Sequence, residues 1–442
     1  MSGSEIFLHI GSHCVAVLKP EHSDFSWSLT YTKDWKEKGF ALSPTLPLEG
    51  NHSGEAVLAF IENLLPEGVA LEHLSTLKSI SKNNPIGLAL AIKNDLAGAI
   101  RLSVNETTEP FENSQFRAIS DQELIDRLRF PETNPMSVWD GKPRLSVAGM
   151  QTKLNVLKLG NQWGLADGSN YASDRLLKFE SVEQKHLLLN EFLTMTLARE
   201  MGYNTAQVNM LYVGPYRTLE VIRFDRQIIG DSERIVKVAR QHMIDACQAL
   251  GLTSTKKYER HFGDGKDVAH IREGVSLAKL FSLTAFAKDP VAMKDELLNW
   301  LLFNLLVGNT DAHGKNFSFF VDQAGLTPTP WYDLLSVIQI PTVSHSLAMS
   351  IGDEFEYDNV HALQLLYEAE KINVPFDMLQ ERLQISIETM RSALLALPLT
   401  VELSKEEQAF VTRYKDSLFL RLDEWQAQCR LMPQLAQDSS LF

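Results

Sequence analysis

Cysteine is scarce in this chain of 442 residues: Cys14, Cys247 and Cys429 stand far apart and odd in number. That excludes a disulfide framework and a CxxC zinc site and fits a reducing compartment. Positive charge is short as well. Lys and Arg number 42 against 56 Asp and Glu, a net charge of −14, which excludes coating nucleic acid or anionic lipid by bulk electrostatics. Any role at DNA would need a partner. A long apolar run is missing too, since the most hydrophobic stretch, 297–307, is interrupted by Asn299 and Asn304 and falls short of the ~18 residues a membrane span needs. The first ten residues lack a basic segment followed by an apolar one, so no secretory signal is expected and a soluble, cytoplasmic protein is. What is present, 44% apolar and 22% charged residues, excludes disorder. Single cores stop growing near ~250–300 residues, so two or three domains are expected.

Residues 1–105 alternate short apolar runs with Gly and Pro and include one stretch of helical spacing, 53–65, which predicts a small α+β module. Segment 106–143 reads as a connection. It opens on a polar linker, 104–115, carries a short helix over 121–129 capped by Ser120, and is broken by prolines from 131 to 143. Residues 144–242 read as β-rich, with strands over 152–159, 175–179 and 217–224, a turn at Gly160-Asn161, and an amphipathic helix over 182–201 stopped by Gly202. Residues 243–432 read as mostly helical with one β interruption at 316–321, and 433–442 as a frayed tail.

The chemistry concentrates in Asn309-Thr310-Asp311-Ala312-His313-Gly314-Lys315-Asn316, followed by Trp331-Tyr332-Asp333. Phosphoryl transfer asks for such a set: an Asp to orient the attacking hydroxyl and take its proton, and an Asn and a second Asp to hold Mg²⁺ on the phosphates. An Asp and an Asn five apart occur by chance in most long chains and usually satisfy a turn. Upstream, however, Lys178 ends a strand-like pair and Glu191 follows on a helix, so lysine, glutamate, Asp-x4-Asn and Asp stand in kinase order.

The chain resembles HipA-family serine/threonine kinases, the toxin half of bacterial two-gene toxin and antitoxin modules. The likeness rests on Ser146-Val147-Ala148-Gly149-Met150-Gln151, Leu176-Leu177-Lys178, Asn190-Glu191-Phe192, Ile222-Arg223-Phe224-Asp225-Arg226, 310–316 and Trp331-Tyr332-Asp333. Leu46-Pro47-Leu48, Asn63-Leu64-Leu65-Pro66 and Gly98-Ala99 extend it over the N-terminal module. The resemblance implies an α+β chain: a small N-terminal module plus a two-lobed protein-kinase-like fold with a β-rich N-lobe and a mostly helical C-lobe. It implies ATP and Mg²⁺ as cofactors, Asp311 as catalytic base, Asn316 and Asp333 as metal ligands, Lys178 on the phosphates and Glu191 as its partner. Ala148, Gly149, Met150, Gln151, Thr152 and Lys153 would line the nucleotide. Ile222, Arg223 and Phe224 would offer backbone groups to adenine, and His313, Gly314, Lys315, Asn316, Tyr332 and Asp333 would complete the pocket.

Ser146 matches the serine that family members autophosphorylate. A phosphate there, of about −1.5 to −2 charge, would repel the nucleotide phosphates and switch activity off. The implied target is a cytosolic protein, by family analogy an aminoacyl-tRNA synthetase such as the glutamyl enzyme, and the implied partner a small helix-turn-helix antitoxin. Direct DNA contact is not expected, because Asp353, Glu354, Glu356 and Asp358 form an acidic run. The chain lacks G-x-G-x-x-G and the H-R-D and D-F-G triplets, so ordinary protein-kinase scans should miss it. A small-molecule kinase of the aminoglycoside-phosphotransferase type, which uses a similar loop logic, and a non-catalytic corepressor partner of a helix-turn-helix antitoxin remain as alternatives.

Overall fold

The computed structural model describes residues 5–21, 26–92, 96–107, 114–144, 152–168, 170–181, 184–230, 235–399 and 401–438. Backbone contacts divide the chain into two compact units, Met1–Lys185 with Ala206–Ser254 and Ser318–Thr329, and His186–Thr205 with Thr255–Phe317 and Pro330–Phe442. These units cut the chain differently from the lobe boundaries expected at 143 and 242.

The first unit opens with an antiparallel four-stranded sheet ordered Trp27–Tyr31, His13–Pro20, Ile6–Ile10, Ile100–Ser103. The helix expected at 53–65 forms over Gly54–Glu62, because the Ser53 hydroxyl accepts the Ala56 N–H at 3.1 Å. This module is tied to later chain of the same unit. The Ser43 hydroxyl donates to the Gln248 carbonyl at 2.8 Å, and Asn63 Nδ2 donates to the Leu252 carbonyl at 2.8 Å.

A six-stranded antiparallel sheet follows, ordered Val208–Val213, Tyr216–Ile222, Arg175–Phe179, Thr152–Leu159, Gln162–Asp167, Gln115–Ala118. Leu154, Val156, Leu177 and Phe179 point to one face of it and pack with Leu124, Trp139 and Val213 into a core. The helix Asp121–Arg129 has a complete capping box from Ser120 and Glu123, as its local sequence requires.

Four sequence expectations change here. Gln115 begins an edge strand rather than ending a linker; four residues are too few to show a period of two. The proline-broken stretch 131–143 holds a small hairpin, Val138–Trp139 with Lys142–Pro143, turning through Asp140 and Gly141 at φ 52° and 71°. The strand expected over 217–224 runs Tyr216–Ile222, and Arg223 leaves it for the ion cluster described below. A three-stranded sheet, Met243–Asp245, Ser318–Asp322, Gly325–Pro328, completes the unit, so the β interruption is larger than expected.

The second unit is mostly helical, with Leu187–Glu200, Pro290–Val307, Ala362–Lys371, Phe376–Ala396 and Lys405–Gln437 its principal helices. Leu187–Glu200 was expected as an amphipathic helix from 182; instead it starts after His186, held at φ 67°, and every residue from Leu188 to Ala198 is buried. A helix packed on all sides has no polar stripe to read. The β-hairpin Ser346–Ile351 with Glu354–Glu356 was not expected, and the tail expected from 433 continues through Gln437 the helix Lys405–Gln437, on which Cys429 and Met432 are buried. Among the described residues no helix is long and apolar enough to cross a membrane.

Candidate functional site

The Asp-x4-Asn loop follows the helix Pro290–Val307. Asp289 caps its start by accepting the Val291 and Ala292 N–H groups at 3.1 and 3.0 Å, and Gly308, at φ 69°, ends it in a left-handed turn where an added Cβ would meet Arg421 and Ile338. The loop then closes on itself. The Asp311 carbonyl accepts the His313 N–H at 2.8 Å and Asn316 Nδ2 at 3.0 Å, while the Asn316 N–H reaches the His313 carbonyl at 2.9 Å. The Thr310 carbonyl accepts the Ala348 N–H at 2.8 Å, anchoring the loop to the unexpected hairpin.

The Asp311 carboxylate is exposed, and its Oδ1 accepts the Tyr258 hydroxyl at 2.7 Å. Tyr258 was not found from sequence; no spacing links it to a loop 53 residues away. Its ring stands edge-on to His313 with centroids 5.1 Å apart, and the Gly314 N–H donates to the Lys257 carbonyl at 3.0 Å. Gly314 has no room for a side chain, since a Cβ would lie 2.5 Å from Val275. His313 is buried, and desolvation with the nearby Lys257 and Lys315 charges outweighs the pull of Asp333, taking its pKa down to about 3. It is therefore a neutral, packed imidazole at physiological pH.

The Trp331-Tyr332-Asp333 segment returns to this loop. Tyr332 donates its hydroxyl to the Lys315 carbonyl at 2.6 Å, and the Trp331 N–H donates to the Asn204 carbonyl at 2.8 Å. Asp333 sits at φ 56°, a strained setting for a residue with a Cβ. Just beyond it, Asn190 clamps Ser336 with both ends of its amide, Nδ2 to the Ser336 carbonyl at 2.9 Å and Oδ1 from the Ser336 N–H at 2.8 Å. Glu191, the next residue on that helix, is buried. Thus Asp311, His313, Gly314, Lys315, Asn316, Tyr332 and Asp333 share one neighbourhood of the second unit. With Asn316 Nδ2 held by a backbone carbonyl, its Oδ1 is left to serve as an oxygen donor, and Asp333 in the returning segment carries a carboxylate; both are hard oxygen groups of the kind Mg²⁺ takes.

In the first unit, Lys178 and Lys153 are both buried and lie directly opposite each other on adjacent strands, with Thr152 at the edge of that pairing. The N–H groups expected to meet adenine are partly spent: Ile222 donates to the Gln207 carbonyl at 2.9 Å and Arg223 to the Asp174 carbonyl at 3.0 Å. The Arg223 guanidinium instead binds Asp225, at 3.0 and 2.8 Å, and the Ser173 hydroxyl at 2.9 Å. Ser146, Ala148, Gly149, Met150 and Gln151 lie outside the described residues.

Family models match both parts of the chain, the HipA N-terminal domain over residues 7–103 and the HipA-like C-terminal domain over residues 145–396. The serine/threonine-protein kinase toxin HipA of Shewanella oneidensis is 42% identical over 419 residues, covering 95% of each chain. A Sinorhizobium fredii protein named as a candidate kinase, Y4mE, is 31% identical over 340 residues, 75% of this chain and 76% of its own. A solved Shewanella oneidensis complex of HipA, HipB and operator DNA contains a chain that superposes with TM-score 0.88 at 41% identity, covering 97% of this chain and 99% of that one. With both halves matched and the likeness running nearly end to end, the chain belongs to the HipA family of serine/threonine kinase toxins.

Proposed function

We propose that this chain is an ATP- and Mg²⁺-dependent protein kinase that phosphorylates a serine or threonine hydroxyl of a cytosolic protein. The observation that carries the reading is the closed Asp311–Asn316 loop with Tyr332 and Asp333 returned against it. It supplies a solvent-facing carboxylate and two oxygen donors from a backbone that cannot easily move. In the reaction the substrate oxygen bonds to the γ-phosphorus, the bond from that phosphorus to ADP breaks, and the hydroxyl proton passes to Asp311. Bound Mg²⁺ would neutralise the phosphate oxygens. Asn316 and Asp333 are the residues to hold it, Lys178 steadies the phosphates, and Asp311 aims the hydroxyl.

The finer proposals rest on family membership. The target is an aminoacyl-tRNA synthetase, such as the glutamyl enzyme, whose modification would arrest translation. Phosphorylation of Ser146 switches the kinase off, and a small helix-turn-helix antitoxin restrains it. The relative solved with HipB and operator DNA supports an antitoxin partner. Contact of this chain with DNA is at most indirect, through that partner. Of the acidic run, Asp353 is already paired with Arg272 at 2.8 Å and Lys371 at 2.7 Å. Purified protein incubated with labelled ATP, Mg²⁺ and lysate should label a protein band, and Asp311→Asn should lower the rate by about 10²–10⁴-fold without unfolding the chain. Label found only on a metabolite, or a variant as active as the parent, would reject the reading.

A further inference from the structure

The six-stranded sheet of the first unit carries a buried polar side chain with nothing to bind. Asn155, in Thr152–Leu159, is 3% exposed, and neither its Oδ1 nor its Nδ2 meets a hydrogen-bonding atom. An amide in that state has given up water's hydrogen bonds for none in return, which folded proteins avoid unless a ligand or an ordered water completes the site.

Strand alternation gives the ligand's outline. Leu154, Val156, Leu177 and Phe179 face the packed core, so Lys153 and Asn155 stand on the opposite face, as do Leu176 and Lys178 of the neighbouring strand. Lys153 pairs with Lys178, and Asn155 pairs with Leu176. That face therefore has a cationic end, and about 7 Å along it an amide beside an apolar side chain. The matching ligand has an anionic group at one end and, at the other, a flat group offering one donor and one acceptor.

We infer that Asn155 reads the base of the bound nucleotide and selects adenine. Its Oδ1 accepts from the N6 amino group and its Nδ2 donates to N7, with the phosphates toward Lys153 and Lys178. Guanine presents two acceptors, O6 and N7, on the same edge, which leaves Oδ1 facing an oxygen. The inference rests on the kinase reading above and adds the residue that sets its nucleotide preference.

The test is calorimetric titration of the full-length protein and of Asn155→Ala and Asn155→Leu with MgATP and with MgGTP, together with melting curves of the nucleotide-free proteins. The parent should prefer ATP, and both variants should lose about tenfold or more in ATP affinity while GTP affinity stays unchanged. Nucleotide-free Asn155→Leu should melt no lower than the parent, since an unsatisfied amide has been removed. Variants that keep the parent's ATP affinity and preference, or a parent that binds the two nucleotides equally, overturn the inference and leave a water as the amide's occupant. A parent that binds neither nucleotide overturns the kinase reading with it.

Discussion

Asp225→Ala removes the centre of a buried ion cluster that ties the N-terminal module to the chain after the strand Tyr216–Ile222. The Asp225 side chain is 5% exposed; its Oδ2 accepts Arg226 Nη1 at 2.5 Å, Arg223 Nη2 at 2.8 Å and the Gly98 N–H at 3.0 Å, and its Oδ1 accepts Arg223 Nε at 3.0 Å. Arg226 then reaches the Leu96 and Gly98 carbonyls at 2.8 and 3.0 Å. Without the carboxylate, two guanidiniums stay buried with no counter-charge from Asp225, and breaking a buried pair in this way costs about 3–5 kcal/mol. For a unit of this size the melting temperature should fall by about 6–20 °C. Asn at this position keeps one acceptor oxygen and should lose less. Burial alone would raise the Asp225 pKa, but Arg223, Arg226 and the Gly98 N–H outweigh it and hold the carboxyl far below its usual range. A depressed carboxyl stabilises fully above its unfolded value and loses that contribution only as pH falls toward the folded one, so the Asp225→Ala penalty should be the same at pH 8 and pH 5. Scanning calorimetry of parent and variant at the two pH values decides it. A loss under about 2 °C, or one that fades between pH 8 and pH 5, would refute the assignment of this cluster as the tie.

Tyr258→Phe deletes the hydroxyl on Asp311 and nothing buried, so stability should stay within about 0.5 kcal/mol while kcat falls by about tenfold and KM for ATP holds. An unchanged kcat in steady-state phosphotransfer would remove Tyr258 from the site. Burial takes His242 down to about 4, and burial with Lys257 takes His313 down to about 3, so both stay neutral in the folded chain while the unfolded chain titrates near 6.5. Stability is therefore present above pH 6.5 and lost as pH falls, by up to about 1.4 kcal/mol per pH unit for each histidine. Urea unfolding between pH 7 and pH 5 should show a shallower slope for His242→Gln; identical slopes would mean that His242 is not held neutral.

Local rules account for much of what could be read without coordinates. The strands over 152–159 and 175–179 and the helix 121–129 matched their expected bounds because alternation and a capping box act within a few residues. The Asp-x4-Asn spacing likewise describes one turn, and that turn closes through the Asp311 carbonyl. The buried helix Leu187–Glu200 could not be read as such, because burial on all sides depends on what packs around it.

Sequence alone determined the family motifs, the acidic balance and the set of residues that phosphoryl transfer would ask for. Only the tertiary structure decided that Tyr258 holds Asp311, that Asp225 binds a glycine 127 residues earlier, and that Asn155 lies buried beside the lysine pair with its amide unmet. Hydrogen bonding and desolvation fall off within a few ångströms of space, whatever the separation along the chain, so contacts between distant segments leave no periodic trace in the sequence that makes them.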